Sequence, residues 1–505
     1  DDLGWHNVGW HNAEMSTPHA DALVAQGVEL DRHYTYHYCS PSRASLMSGR
    51  LPFHVNQINV GTGDNVPKNM TWIPAKLKSA GYATHMVGKW HLGVAYWQQI
   101  PQQRGFDTSL HYFGGAEDGE RQTQCIDSVC IQPDEDPHQL RDLWDTDRPA
   151  STLAGTDYGG FLFTRRAVSV IAEHDPLTPL FLYVSMQQCH TPLQVPASYA
   201  ARYPEHWYRD RRLYAGMVSF WDESLGNITA ALRRRNMWDR TLLVVTGDNG
   251  GPVYWAAPET KTAFPHGAGG NNWPLKGGKI SNLEGGVRVA SFVSGGFVPE
   301  GMRGRKLAGL VHIADWYATF CGLAGVSAWD SAADASGLPQ PDALDMWPWL
   351  SGSAGGSPRS EIPLCVDFQT SPLDDRLRRN ASALLQADGA SLYKLLEGVA
   401  LFSFWQGPAF PNASGYGQWQ ENIQVCDPAC LYDVAADPTE HRDLARALPV
   451  RVADMRRRLG ELRQSHFQQA EDSPPKHGDP FGRYGGFLGP WAGLPGGGAA
   501  AALWV

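Results

Sequence analysis

Five short segments of this chain carry residue types that can do chemistry. The run Cys39-Ser40-Pro41-Ser42-Arg43 sets a thiol two residues before a proline, which suits the first turn of a helix, and Gly49 is placed to end that helix. A thiol there meets free main-chain N–H groups and the positive end of the helix dipole, so the position favours an anion. Asp1-Asp2 and Asp248-Asn249 offer three carboxylates and an amide carbonyl with no histidine among them, a hard-oxygen set that suits Ca²⁺ or Mg²⁺ rather than zinc. Lys89 and His91, in Gly88-Lys89-Trp90-His91-Leu92-Gly93, stand two apart on an extended loop and can point the same way. His190, in Cys189-His190-Thr191-Pro192-Leu193, and the lysines of Leu275-Lys276-Gly277-Gly278-Lys279 add positive charge. Taken singly, each has a plainer reading: a capped helix over a buried thiol, an acidic turn, a solvated loop cation.

The elements around these residues give a reason for them to meet. Apolar, β-branched runs at 82–87, 180–185, 242–246 and 289–293 read as strands, and 213–232 and 313–323 carry apolar residues at helical spacing. Strands alternating with helices imply an α/β fold, a largely parallel sheet covered on both faces. Lys89 with His91, Cys189 with His190, and Asp248 with Asn249 each follow a strand, and in such sheets ligands collect at the carboxyl ends of strands. A Gly/Ser-rich stretch at 351–357 reads as a linker. It divides the chain into a large unit, 1–355, and a smaller α+β unit, 356–505, with a Gly/Pro-rich tail from about 474. No hydrophobic strand precedes Asp1, so the first strand of the sheet is expected to be missing.

Composition bounds the partners. The 505 residues are 42% apolar and 19% charged, enough to bury a large core. A net charge of -10 argues against a nucleic-acid binder, which needs a broad basic face. No apolar run approaches the roughly 20 residues that span a bilayer. Asn-x-Ser/Thr acceptors at Asn69, Asn227, Asn380 and Asn412 lean toward the secretory pathway. Among eight cysteines, the close pairs Cys125/Cys130 and Cys426/Cys430 suit disulfides.

The pattern C-x-P-S-R followed by Leu46-Met47-Ser48-Gly49-Arg50 resembles the signature of the sulfatases, in which this cysteine is oxidised to formylglycine. The strings around Lys89, His190 and Glu284-Gly285-Gly286-Val287-Arg288 are similar to sulfatase motifs as well. Within the family, Arg104-Gly105-Phe106-Asp107, the loops 190–196 and 270–275, and Leu488-Gly489-Pro490-Trp491 look most like the arylsulfatase B, or N-acetylgalactosamine-4-sulfatase, group. The resemblance implies an alkaline-phosphatase-like large domain with a mixed, mostly parallel sheet between helices, and a small C-terminal domain with a short antiparallel sheet.

It also implies roles. Residue 39 would be a hydrated aldehyde, one hydroxyl attacking sulfur and the other expelling sulfate as the C=O reforms. One Ca²⁺ would be held by Asp1, Asp2, residue 39, Asp248 and Asn249. His91 would contact the formylglycine oxygens and act as the base for elimination, and Lys89 would bind that group and sulfate. His190 and Lys279 would bind sulfate and assist the leaving oxygen, the family register selecting Lys279 over Lys276. Arg43, one turn along the helix, would hold the hydrate and a neighbouring carboxylate. The resemblance further implies a sulfated carbohydrate as substrate, the formylglycine-generating enzyme as maturation partner, and a lysosomal or extracellular location. Three departures bear on substrate identity: the absent first strand, Lys276 where the group often has Arg, and an insert at 253–266. Two alternatives stay open, a phosphate or phosphonate monoesterase on the same scaffold and a sulfated-glycan binding protein without activity.

Overall fold

The computed structural model describes residues 1–59, 66–125, 140–253, 268–369, 380–412, 423–467 and 483–492. The apolar runs form two sheets. One has five strands in the order Arg148–Pro149, Trp144–Asp145, Thr108–Tyr112, Ala83–Lys89, Leu180–Ser185. Its last three strands are parallel and the other pairings antiparallel. The second runs Leu243–Thr246, Ser291–Ser294, Val28–Leu30, Arg305–Leu307, with only the final pair parallel. The β-structure is thus mixed, and parallel pairing concentrates on the strands that lead to Lys89 and His190.

Side chains alternate across each strand and so feed two helical layers. Leu182 and Val184 join a core with Leu162, Phe163 and Ile171 of the helix Gly159–Glu173, whereas Phe181 and Tyr183 pack with Ala44 and Met47 of the helix Cys39–Ser48. In the second sheet, Leu243 and Val245 meet Leu225, and Leu242 and Val244 meet Trp316. The helix Arg209–Arg234 serves both sheets, contributing Phe220 and Ile228 to one core and Leu225 to another. Its buried residues Tyr214, Met217, Val218, Leu225, Ile228 and Leu232 fall on the 3.6-residue helical period, which gives one apolar stripe along most of a 26-residue helix about 39 Å long.

A third sheet, wholly antiparallel, follows in the order Glu361–Gln369, Asn380–Asp388, Ser391–Ala400, Gln424–Asp433. Leu384, Leu395 and Leu431 on one face pack on Met455, Leu459 and Leu462 of the helix Pro449–Arg463. The other face, with Leu385, Leu396 and Tyr432, packs on Tyr34, Tyr36, Leu283 and Val287. Lys394 from this sheet is fully buried between Glu284 at 3.1 Å and Glu440 at 2.9 Å, so an ionic contact joins the two layers. Residues 483–492 return to the large unit, where Trp144 Nε1 donates to the Leu488 carbonyl at 2.6 Å and Trp491 N to Ala95 O at 2.9 Å. Cys426 and Cys430 are disulfide-bonded as expected. Cys130 and residues 254–266 of the insert lie outside the described residues.

Candidate active site

The helix Cys39–Ser48 begins on Cys39 and closes at Gly49, whose φ of 71° is left-handed and whose missing Cβ leaves room for the Tyr317 ring. Its sequence is polar, yet nearly every residue is buried. Internal bonds offset part of that cost: Ser42 Oγ accepts from Tyr36 N and donates to Tyr36 O, and Ser48 Oγ donates to Ala44 O, whereas Ser40 Oγ and Ser45 Oγ are buried without a hydrogen-bond partner among the described residues. Cys39, 1% exposed, faces the first residues of the chain, with Sγ 3.6 Å from Asp1 Oδ1.

Asp1 and Asp2 cross the carboxyl ends of both sheets. Asp1 N donates to Gln188 O beyond one strand and Asp2 N to Asp248 Oδ1 beyond another, at 3.3 and 3.2 Å. The three carboxylates meet three cations. Lys89 Nζ lies 2.7 Å from Asp1 Oδ2, and Lys279 Nζ is 2.8 Å from Asp2 Oδ1. Arg43 donates through Nε (3.1 Å) and Nη2 (2.7 Å) to Asp248 Oδ2, while its Nη1 reaches Lys89 O, Tyr183 Oη and Ser185 Oγ. One planar guanidinium therefore ties the ends of three strands together, which a lysine could not do. Lys276, by contrast, turns away, its Nζ on Gln424 Oε1 at 2.6 Å and over the Trp405 ring.

His190 donates from Nδ1 to the Thr191 carbonyl at 2.6 Å. That bond fixes the proton on Nδ1 and turns the Nε2 lone pair inward, where Lys279 Nζ donates to it at 3.2 Å. His91 lies two residues beyond Lys89 with a left-handed φ of 54°, its main-chain N on Phe113 O at 3.2 Å and its ring against Gly115. Direct contacts thus join Asp1, Asp2, Cys39, Arg43, Lys89, His190, Asp248, Asn249 and Lys279, and His91 stands in the adjoining wall.

Burial and charge act against each other at each group. Burial raises Asp2, but Lys279 and His190 outweigh it and bring the carboxyl down to about 2. Burial also raises Asp248, and Arg43 holds it well below the usual range. Burial lowers Lys89 to about 8, and burial with Lys279 lowers His190. The Cys39 thiol is pushed up by burial and pulled down more strongly by Lys279 and Lys89, to about 7. Asp2 and Asp248 are therefore charged near neutrality, and so is a large share of the Cys39 thiol.

The donor set fits a divalent cation. Asn249 is fully buried, its Nδ2 donates to Asp2 Oδ1 at 2.7 Å, and its Oδ1 has no hydrogen-bond partner. Asp1, Asp2, Cys39 and His190 each present a ligand atom within 4.8 Å of the others.

Supporting residues escaped sequence reasoning. Tyr214 Oη donates to Asp2 O and accepts from Gly4 N. Asn272 ties Trp5 N, both main-chain groups of Gly251, and Gly277 O into one knot under Lys279. Tyr214 lies on the helical apolar stripe and carries no distinguishing signal, whereas Asn272 stands in the 270–275 string singled out above.

The sulfatase family model matches residues 1–326. Arylsulfatase J of Mus musculus is 33% identical over 512 residues, covering 97% of this chain and 79% of that protein. N-acetylgalactosamine-6-sulfatase of Homo sapiens is 28% identical, covering 65% of this chain and 61% of its own. Among solved structures, Ps i-CgsB in complex with k-i-k-neocarrahexaose is 25% identical with a TM-score of 0.69, covering 93% of this chain and 92% of the other. With the family model spanning most of its length and its motif residues gathered at one centre, the chain belongs to the sulfatase family, the sulfuric ester hydrolases.

Proposed function

We propose that this enzyme removes sulfate from a sulfated sugar, N-acetylgalactosamine-4-sulfate or a related residue, with residue 39 as the reacting group. One observation carries the reading: three carboxylates and three cations converge on a residue at a helix N-terminus, the balance needed to seat a divalent cation and a sulfate ester together. Cys39 Sγ marks where the oxygens of a formylglycine hydrate would sit. Oxidised in that way by a formylglycine-generating enzyme, the residue supplies one hydroxyl to attack sulfur and a second to release sulfate. Asp1, Asp2, Asp248 and Asn249 would hold Ca²⁺ with residue 39, and the ion would polarise a sulfate oxygen.

The remaining work falls to the side chains. Lys89 holds Asp1 and faces the sulfate, and His91 takes the proton that elimination releases. Sequence leaves the leaving-group acid open between His190 and Lys279. Because the inward Nε2 of His190 accepts from Lys279, Lys279 is the donor and His190 orients it. Arg43 fixes Asp248 rather than substrate. A sugar substrate is supported by two of the relatives, N-acetylgalactosamine-6-sulfatase and Ps i-CgsB in complex with k-i-k-neocarrahexaose. A lysosomal or extracellular location is supported by the Cys426–Cys430 disulfide and by exposed acceptors at Asn69 and Asn227. No helix among the described residues is long and apolar enough to cross a membrane. We further place the boundary between the two units near residue 355, in the exposed turn before Glu361–Gln369.

Mass spectrometry of the peptide containing residue 39, from protein of its native source, tests the chemistry; an unmodified thiol there would sink it. Turnover of 4-sulfated against 6-sulfated N-acetylgalactosamine at acidic and neutral pH tests the substrate. Faster turnover of a phosphate ester than of the sulfate ester of the same alcohol would move the assignment to a phosphomonoesterase.

A further inference from the structure

Asp142 is fully buried, and among the described residues no cation pairs with it. Its two oxygens instead receive consecutive main-chain N–H groups, Phe113 N on Oδ1 at 2.8 Å and Gly114 N on Oδ2 at 2.7 Å. A buried carboxylate is costly unless its acceptors are filled, so this residue is committed to holding one loop. That loop is the wall behind His91. Trp90 N and His91 N donate to Tyr112 O and Phe113 O at 2.9 and 3.2 Å, so Phe113 binds Asp142 through its N–H and His91 through its carbonyl. The imidazole then lies on Gly115, where an added Cβ would stand 2.9 Å from Cε1 and 3.0 Å from Nε2. No larger residue leaves the ring in place. His91 itself has a left-handed backbone, which the two main-chain bonds from Trp90 and His91 hold.

We infer that Asp142 is a positioning residue for His91: by clamping Phe113 N and Gly114 N it sets the loop that holds the His91 main chain and seats its ring on Gly115. This rests on the reading of His91 as the base of the reaction. A ring displaced by about 1 Å costs an enzyme on the order of 100-fold in rate, whereas substrate binding through Lys89, Lys279 and His190 is left alone.

The experiment is a double-mutant cycle on full-length, formylglycine-bearing protein, with 4-nitrophenyl sulfate as substrate and aldehyde content measured first. D142N puts an amide donor opposite a main-chain N–H, and G115A places a methyl against the ring. Each is expected to lower kcat about 10- to 100-fold with kcat/KM within about threefold, because elimination follows release of the alcohol, and to cost less than about twofold more in an H91A background. If D142N fails to fold by circular dichroism, D142E, which keeps the charge but displaces the clamp, carries the test, with G115A as the control for a ring moved directly. Full multiplication of the losses in H91A, or wild-type kcat in the folded single variants, would overturn the positioning role. If H91A alone keeps wild-type turnover, the assignment of His91 as base fails separately. Positioning is then decided by the His91 Cε1–H resonance, which shifts in D142N if Asp142 seats the ring and stays put if it does not.

Discussion

Glu440 links stability to pH through the layer behind the active site. It is 1% exposed, 2.9 Å from Lys394 Nζ, and accepts the main-chain N–H of Glu284 at 2.8 Å; Glu284 starts the turn of helix that follows Lys279. Burial raises its carboxyl from 4.5 to about 7, Lys394 pulling it down and the neighbouring Glu284 pushing it up. A folded-state value above the unfolded one means that the stabilising contribution is complete below pH 4.5 and is lost as pH climbs through about 7. At 1.36 kcal/mol per pKa unit the loss amounts to about 3 kcal/mol, a large part of a net stability of about 5–15 kcal/mol. E440Q removes the titrating group and with it this slope. Urea midpoints of wild type and E440Q, measured at pH 4.5 and pH 8 at constant ionic strength, provide the assay. Wild type should lose about 3 kcal/mol more than E440Q between the two. Parallel pH profiles would refute the reasoning, because they would place the proton elsewhere.

Other consequences follow from the same contacts. K394M leaves Glu440 buried without its cation and Glu284 with only the more distant Arg288, at 3.5 Å, and should cost about 3–5 kcal/mol at pH 8, read by denaturation, and less at pH 5, where Glu440 takes a proton. K279A should lower kcat about 10²- to 10³-fold in an aryl sulfate assay, whereas K276A, whose Nζ serves Gln424 and Trp405, should stay within about threefold. R43K keeps the charge but cannot bridge Asp248, Lys89 O and Ser185. Calorimetry should show weaker Ca²⁺ binding, and the melting temperature should fall even in the presence of chelator. Added Ca²⁺ at about 100 times its Kd should stabilise wild type by about 2.7 kcal/mol, and N249A should abolish most of that gain; equal shifts in both would remove Asn249 from the ligand set.

Much of the centre was legible because its signals are local. A helix beginning on Cys39 and ending at Gly49 depends on proline, glycine and i to i+4 spacing within eleven residues, and the strand ends before Lys89, His190 and Asp248 show as short apolar runs. The choice of Lys279 over Lys276 came from family register; Lys279 pairs with Asp2, and Lys276 with Gln424. What the chain order could not show was which charges meet. Arg43 reaches Asp248 across 205 residues and Ser185 across 142, Lys394 reaches Glu284 across 110, and Tyr214 holds the main chain of Asp2 across 212.

Residue types and short spacings, read through the family motifs, therefore determined the reaction class and named the residues proposed to carry it. The tertiary structure alone decided that His190 faces Lys279 with a lone pair, that Asn249 keeps an open oxygen, that residues 483–492 fold back onto Trp144, and that Asp142 stands behind His91. The physical reason is range. Turn and capping preferences act over one or two helical turns, whereas desolvation and charge pairing depend on which distant segments the packed core brings to the same place.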